Sequence, residues 1–381
     1  MKTVGIICEY NPMHLGHVKQ IRMIRELLGD CAVVCLMSGN FVQRGHPAIV
    51  DKSLRAKSAV LAGADLVLEL PVNYALSSAE GFAAGGVRIL GSFCDYLCFG
   101  SESGDKDTLL ATAKALLADD FPEKLRLELD KGLSFPAARE AALGDMGALL
   151  EKPNDILAVE YCKAILAQSC AMEAYPIRRE GNYHDLEADP ENPSATALRA
   201  LMAAGEDWQR YAARPEILAG AARHGMEYGE KAILYRLRTM TDAEFEALPY
   251  GGEGLWRKFM RACRSCATLE EIIAATKSKR YTRTRIDRMV MCAALGISRE
   301  MLEGEAPYTR VLALNDTGRT VLKKARETGI FPNIGEKMED PYQILEQRAD
   351  DIYALFADTS EPSGRTHDRR IFYLKKSNGS V

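Results

Sequence analysis

EYNPMHLGHVKQ, just after the first apolar run of this 381-residue chain, sets His14 and His17 three residues apart with Leu15 and Gly16 between them. Imidazole can donate hydrogen bonds to an anion and changes charge near neutral pH. If His17 falls in the first turn of a helix, that turn adds unpaired backbone N–H groups and the positive end of the helix dipole. Such a turn binds phosphate and can stabilise charge developing on an α-phosphate and on departing pyrophosphate. Gly16 lets the backbone approach a nucleotide with no Cβ in the way. Paired histidines also occur as metal ligands or as neighbours on a helix face. Here no HExxH pattern is present and His46, His184, His224 and His367 are dispersed, so no protein-bound metal is expected.

Three other segments could do chemistry. SGNFVQRGHPAIVDK offers Asn40, Gln43 and Arg44 in a glycine-bounded loop, able to orient an acid or a nucleotide. Asp51, Lys52 and Arg55 beyond it read either as part of that site or as the solvated start of a helix. Farther on, Lys277, Lys279, Arg280, Arg283, Arg285 and Arg288 crowd into twelve residues with one acid, Asp287, and Tyr281. Such a run is either a solvated helix face or a surface for RNA, with cations on phosphates and the tyrosine stacked on a base. CRSC, Cys263 to Cys266, lacks a second pair or a nearby histidine and is a poor zinc signal.

These residues need a scaffold. Val4–Cys8, Ala32–Met37, Asp65–Leu70 and Asp95–Gly100 are short apolar runs bounded by polar or turn residues, the pattern of buried parallel strands. Helical spacing fills the gaps, at about 16–28, 53–63 and 77–90. Alternation of this kind predicts an α/β fold with a Rossmann-like, doubly wound parallel sheet, its ligand at the carboxyl ends of the strands. Residues 105–168 read as helical, and Glu173–Arg179 as an extended segment able to rejoin the sheet. A mainly helical region follows from about 205, then a small C-terminal α/β piece with a strand at Arg310–Leu314. We expect a division at 1–204 and 205–381, with a frayed KKSNGSV tail.

Composition narrows the class. Hydrophobic residues make up 47% of the chain, enough for a large core, and a formal net charge of -4 does not by itself announce a polyanionic partner. No stretch approaches the roughly 20 apolar residues of a membrane span, so a cytoplasmic protein is expected. The ten cysteines are scattered, several within apolar runs, and are expected to be reduced thiols.

HLGH after an N-terminal strand resembles the HIGH signature of the nucleotidyltransferase superfamily. EYNPMHLGH, SGNFVQRG, NDILAVEY and RREGNYHD followed by PSATALR together resemble the tRNA(Met) cytidine acetate ligase family, over the whole chain. Met13 and Leu15 stand where that family's pattern has Phe and Asn, and His46 where it has an acid; both histidines and the glycine are spared. The resemblance implies a ligase that makes acetyl-adenylate from acetate and ATP. It then transfers acetyl to the exocyclic amine of the wobble cytidine of elongator tRNA(Met), giving N4-acetylcytidine, with Mg²⁺ accompanying the triphosphate.

It also implies site residues. The catalytic pair would be His14 and His17. The ATP site would comprise Ile7, Cys8, Glu9, Tyr10, Asn11, Pro12, Met13, His14, Leu15, Gly16, His17, Val18, Lys19 and Gln20, with Gly100, Asn154 and Arg179. Gly100 closes an apolar strand and leaves room for adenine or ribose; Asn154 either caps a helix or bonds a ligand. PSATALR resembles the second nucleotidyltransferase signature: Ser194 and Thr196 would donate to the β- and γ-phosphates, and Arg199 would neutralise pyrophosphate. Ser194 could equally serve as the N-cap of the helix it opens. Transfer RNA would meet Lys277, Lys279, Arg280, Tyr281, Arg283 and Arg285. Two alternatives remain: an adenylyltransferase that makes a dinucleotide cofactor, and an RNA-binding protein with a vestigial nucleotide site.

Overall fold

The computed structural model describes residues 1–178, 194–306, 308–329, 340–364 and 370–375. Seven strands form its main sheet: β1 (Lys2–Cys8), β2 (Cys31–Ser38), β5 (Leu66–Leu70), β6 (Tyr96–Ser101), β7 (Glu173–Arg178), β8 (Arg310–Asn315) and β9 (Phe372–Leu374). β3 (Phe41–Val42) and β4 (His46–Pro47) make a small antiparallel ribbon in the loop after β2. The sheet order is β7-β6-β1-β2-β5-β8-β9, and β7, β6, β1, β2 and β5 run parallel. Every residue of β2 and β5 is buried, because helices cover both faces of the sheet.

Helices α1 (Leu15–Leu28), α2 (Lys52–Leu61), α3 (Val72–Ala75) and α4 (Ala79–Leu90) join the first strands. One apolar cluster pairs Leu36 and Leu68 with Phe82 and Val87 of α4 and Val159 of helix Pro153–Ala167. On the other face Val33, Cys35 and Val67 pack with Ile21 and Ile24 of α1 and Ala56 and Val60 of α2. The chain moves from β1 to β2 and β5 in one direction, then returns to place β6 and β7 on the far side of β1. That reversal opens a crevice between β1 and β6 at their carboxyl ends, where open α/β sheets bind ligands.

The C-terminal strand lies where the sequence reading puts it, but it completes the same sheet. β8 pairs antiparallel with β5, and β9 parallel with β8. Two short strands cannot make a stable sheet alone, and the open edge of β5 supplies the missing partner. The helices Met226–Thr239, Leu255–Ser265, Leu269–Thr276, Arg283–Leu295 and Pro341–Tyr353 share a further core, which also takes in Phe41 of β3, Val72 of α3 and Leu76 at the end of α3.

Helix α2 departs from a solvated start. Lys52 and Arg55 are 1% and 0% exposed. Lys52 Nζ reaches Glu69 at 2.5 Å and Asp350 at 2.6 Å, and Arg310 Nε reaches Glu69 at 2.8 Å. This buried cluster ties β5, α2, β8 and helix Pro341–Tyr353 together. All ten cysteines are free thiols.

Candidate active site

β1 ends at Cys8, and Tyr10 turns the chain at φ +44°, a conformation few side chains adopt. His14 occupies the N-cap of α1, so His17 lies in its first turn. The two rings are stacked, with centroids 3.7 Å apart and planes 26° from parallel. The His14 backbone N–H donates to His17 Nδ1 at 3.3 Å, and the His17 N–H donates to the His14 carbonyl at 2.9 Å. The Tyr10 ring is tilted against that of His17, with centroids 4.8 Å apart. His14 is 2% exposed, whereas His17 is half-buried and faces a cavity.

That cavity, of about 300 Å³, occupies the crevice between β1 and β6. Its floor is Ile6 to Tyr10, and one wall is Gly16, His17, Lys19, Gln20 and Met23 of α1. Phe99 and Gly100 of β6 with Ile177 and Arg178 of β7 form another, Phe82, Leu157 and Tyr161 supply apolar surface, and Asn154, Gln43 and Arg44 close the rim. Cations outnumber the single carboxylate, Glu9, as binding of a polyanion requires. Burial pushes the Cys8 and Tyr10 pKa values well up, so both stay protonated and neutral against a phosphate.

The two loops that meet here are fixed from below. Glu9 Oε1 accepts from the Gln43 N–H at 2.8 Å. The Arg55 guanidinium donates to the carbonyls of Glu9 at 2.6 Å, Val50 at 2.9 Å and Ser38 at 3.2 Å, and to that of Gly39. Across the cavity, Glu102 accepts from the N–H groups of Asn154 and Asp155 at 3.2 and 2.7 Å, and from the Asn154 side chain at 2.7 Å. Asn154 therefore does not cap its helix. Lys152 is the N-cap residue, and Glu102 bonds the first turn while holding the Asn154 amide beside the cavity.

Within the HLGH segment, Asn11 to Leu15 and Val18 do not line the cavity. Asn11, Pro12 and Met13 are buried beneath it, and Asn11 Oδ1 accepts from the Ile49 N–H at 2.8 Å. Ser194 caps helix Ala195–Ala204 through the Ala197 N–H at 3.0 Å. Arg199 donates to the Asn11 carbonyl at 2.8 Å and to Thr196 Oγ1 at 3.1 Å, so this segment braces the histidine loop from behind. Asn40 is also outside the cavity wall, its amide donating to Asp350 at 2.9 Å and accepting from the Lys52 N–H at 2.9 Å. Arg179 and the GNYHD residues lie outside the described residues. Phe82, Phe99, Leu157 and Tyr161 had no signal in the sequence beyond helical and strand periodicity, which marks them equally well as core.

The HIGH nucleotidyl transferase family model matches residues 1–368. The tRNA(Met) cytidine acetate ligase of Clostridium novyi is 37% identical over 360 residues, covering 87% of this chain and 89% of its own length. That of Caldanaerobacter subterraneus is 37% identical over 389 residues, covering 93% and 95%. The chain belongs to the tRNA(Met) cytidine acetate ligase family. The crystal structure of Thermotoga maritima TmcAL superposes with a TM-score of 0.91 at 30% identity, over 99% of this chain and 100% of that one. The same protein bound with alpha-thio ATP superposes at 0.89 and 29% identity, with the same coverage.

In this member of the ligase family the basic segment stands next to the cavity rim. Helix Arg283–Leu295 begins against the loop that carries Gln43 and Arg44. Arg288 donates to the Gln43 carbonyl at 3.4 Å, His46 lies 3.3 Å from Asp287, and a Cβ on Gly45 would sit 2.5 Å from the backbone of Asp287 and Arg288. Several of the arginines are engaged within the protein. Arg283 makes a two-pronged pair with Glu270 at 2.6 Å, Arg280 pairs with Glu253 at 3.0 Å, and Arg285 donates to the Tyr250 carbonyl at 3.0 Å while lying over the Tyr281 ring. Lys277 and Lys279 are exposed. Among the described residues, no helix is long and apolar enough to cross a membrane.

Proposed function

We propose that this chain activates acetate with ATP and transfers the acetyl group to a cytidine of tRNA(Met), the wobble cytidine of the elongator species. The observation that carries the proposal is the cationic cavity at the β1/β6 reversal, with the His17 turn of α1 on its wall. The relatives are ligases of acetate and a tRNA(Met) cytidine, which supports the substrate pair, and the alpha-thio ATP bound to the Thermotoga maritima structure supports the nucleotide.

The chemistry needs two displacements. An acetate oxygen attacks the α-phosphorus as the bond to pyrophosphate breaks, leaving acetyl-adenylate. His17 and the positive N-terminal end of α1 face the charge that develops, with His14 stacked behind to fix the ring. Lys19, Arg44 and Arg178 neutralise the remaining phosphate charge. Mg²⁺ would accompany the triphosphate as its counter-ion, and Glu9, the carboxylate on the wall, whose Oε1 accepts from the Gln43 N–H, offers too few ligands for a resident ion. In the second step the cytidine amine attacks the acetyl carbonyl, the bond to AMP breaks, and the nitrogen loses a proton to solvent. Residues 1–204 house the first step, and residues 205–381 present the RNA to the same cavity.

Incubation with ATP, labelled acetate and total tRNA tests the reading. Label is expected in elongator tRNA(Met) alone, together with acetate-dependent exchange between ATP and pyrophosphate. Exchange that depends on a phosphorylated small molecule would favour a dinucleotide-forming adenylyltransferase. Binding of tRNA with no exchange would leave only an RNA-binding protein.

A further inference from the structure

Helix Leu255–Ser265, LWRKFMRACRS, is divided between two opposite surfaces. Leu255, Phe259, Ala262 and Cys263 are buried in the helical core. Arg257, Lys258, Arg261 and Arg264 recur at the spacing that sets them on one outward stripe. Arg264 is taken by Asp242. Arg257 and Arg261 are exposed and, among the described residues, lie within ion-pair distance of no carboxylate. The Arg257 guanidinium is laid over the Trp256 ring, 4.9 Å from its centroid, which holds it out from the helix.

The stripe is continuous with the basic turn that follows. Lys258 Nζ donates to the Lys277 carbonyl at 3.1 Å, placing Lys277 and Lys279 beside it. From there the chain leads to the cavity: Tyr281 donates to the Glu253 carbonyl at 3.1 Å, Arg285 holds the Tyr250 carbonyl, and Arg288 holds the Gln43 carbonyl at the rim. Arg280 and Arg283, by contrast, already have carboxylate partners, with which a phosphate must compete.

We infer that Arg257 and Arg261, with Lys277 and Lys279, form the phosphate-binding surface that holds the tRNA backbone while its base reaches the cavity, and that the paired arginines of the 280–283 turn are structural. This inference rests on the proposed function. RNA is the occupant that the charge and the position favour, because Arg257, Arg261, Lys277 and Lys279, which among the described residues pair with no carboxylate, belong to the helical region whose Arg288 reaches the Gln43 carbonyl at the cavity rim. Neutralising phosphates releases counter-ions, so binding must weaken with salt, by about 0.7 to 0.9 in log–log slope for each phosphate contact.

The test compares R257Q/R261Q with R283Q in acetyl transfer to purified tRNA(Met) at several salt concentrations, with ATP–pyrophosphate exchange measured in parallel. Exchange uses no RNA and reports the fold and the first reaction step. R257Q/R261Q is expected to raise the KM for tRNA at least tenfold at moderate salt and to make the salt slope shallower by about 1.5, with exchange retained. R283Q is expected to change the KM for tRNA less than twofold. An unchanged KM and slope in R257Q/R261Q, or a larger effect from R283Q, would overturn the inference. Failure of the functional reading would instead appear in the wild type, as absence of acetate-dependent exchange.

Discussion

The His14 and His17 rings lie face to face at 3.7 Å, with the first buried behind the second. One imidazole thus meets the cavity while the other fixes its plane. His17→Ala removes the group on the wall and the acceptor for the His14 N–H. Loss of one preorganised donor to a developing oxyanion slows reaction by about 10²- to 10³-fold. Acetate-dependent ATP–pyrophosphate exchange is expected to fall by that factor, with the KM for tRNA little changed. His14→Ala leaves the His17 ring in place but unsupported and is expected to cost less. A His17→Ala enzyme with wild-type exchange would exclude the imidazole from the chemistry.

Much of this was legible in the sequence because it is local. The parallel strands β1, β2, β5 and β6 are apolar runs with turn residues at their ends, and HLGH follows the first of them, so the strand, the helix start and the ligand edge come from one stretch of chain. What was hidden is non-local. Nothing in RVLAL says that it pairs antiparallel with β5, some 240 residues earlier by the Glu69–Arg310 register. Lys52 and Arg55 look like surface charges until Glu69, Asp350 and four carbonyls are brought to them from elsewhere. Arg199 looks like a pyrophosphate ligand by its motif, and only the fold shows its guanidinium on the Asn11 carbonyl. The basic stripe of helix Leu255–Ser265 has a legible spacing, but only the fold shows Lys258 on the Lys277 carbonyl, which joins the stripe to the run that follows.

Buried Glu346 makes stability depend on pH in a definite direction. Burial, reinforced by neighbouring Glu69, raises its pKa from 4.5 to about 8. The folded state therefore holds a proton that the unfolded chain has released above about 4.5, and the associated stability is lost as pH rises from there to about 8. Glu69 behaves oppositely: burial pushes it up, but Arg310 and Lys52 more than offset that and hold it below 4.5. Its contribution is lost as pH falls through that lowered value. Glu346→Gln keeps an oxygen for the Val72 N–H, which Glu346 now accepts at 2.9 Å. Thermal unfolding of the variant is expected to show a flatter decline between pH 5 and 8 than the wild type. An identical decline would mean that Glu346 is not the group responsible.

Arg55 has no exposed surface, and its hydrogen bonds go to carbonyls at the ends of β1 and β2 and in the loop between β2 and α2. A lysine has three donors on one nitrogen and cannot span this set. Each carbonyl left buried without a donor costs about 1–3 kcal/mol. Arg55→Lys is expected to lower stability by about that amount. It should also raise the KM for ATP or acetate, because Glu9 and the Gln43–Arg44 loop are no longer held in register. Denaturant unfolding and exchange kinetics read the two effects separately. A stable Arg55→Lys enzyme with unaltered KM values would show that the loops position themselves.

Gly45 is the point where the cavity loop touches helix Arg283–Leu295. Its φ of +80° is a left-handed conformation that costs an alanine about 1–2 kcal/mol, and the added Cβ would sit 2.5 Å from the backbone of Asp287 and Arg288. That backbone belongs to the first turns of helix Arg283–Leu295, whose Ile286, Met289 and Val290 are fully buried, so the helix cannot yield and the loop must. Displacing the loop breaks the Arg288 bond to the Gln43 carbonyl and moves Arg44 on the cavity rim. Gly45→Ala is therefore expected to depress acetyl transfer to tRNA more than ATP–pyrophosphate exchange, since transfer alone needs the RNA side and the cavity in register. Parallel kinetics of the two half-reactions decide it. Equal losses in both would mean that the contact only stabilises the loop and does not align the two sides.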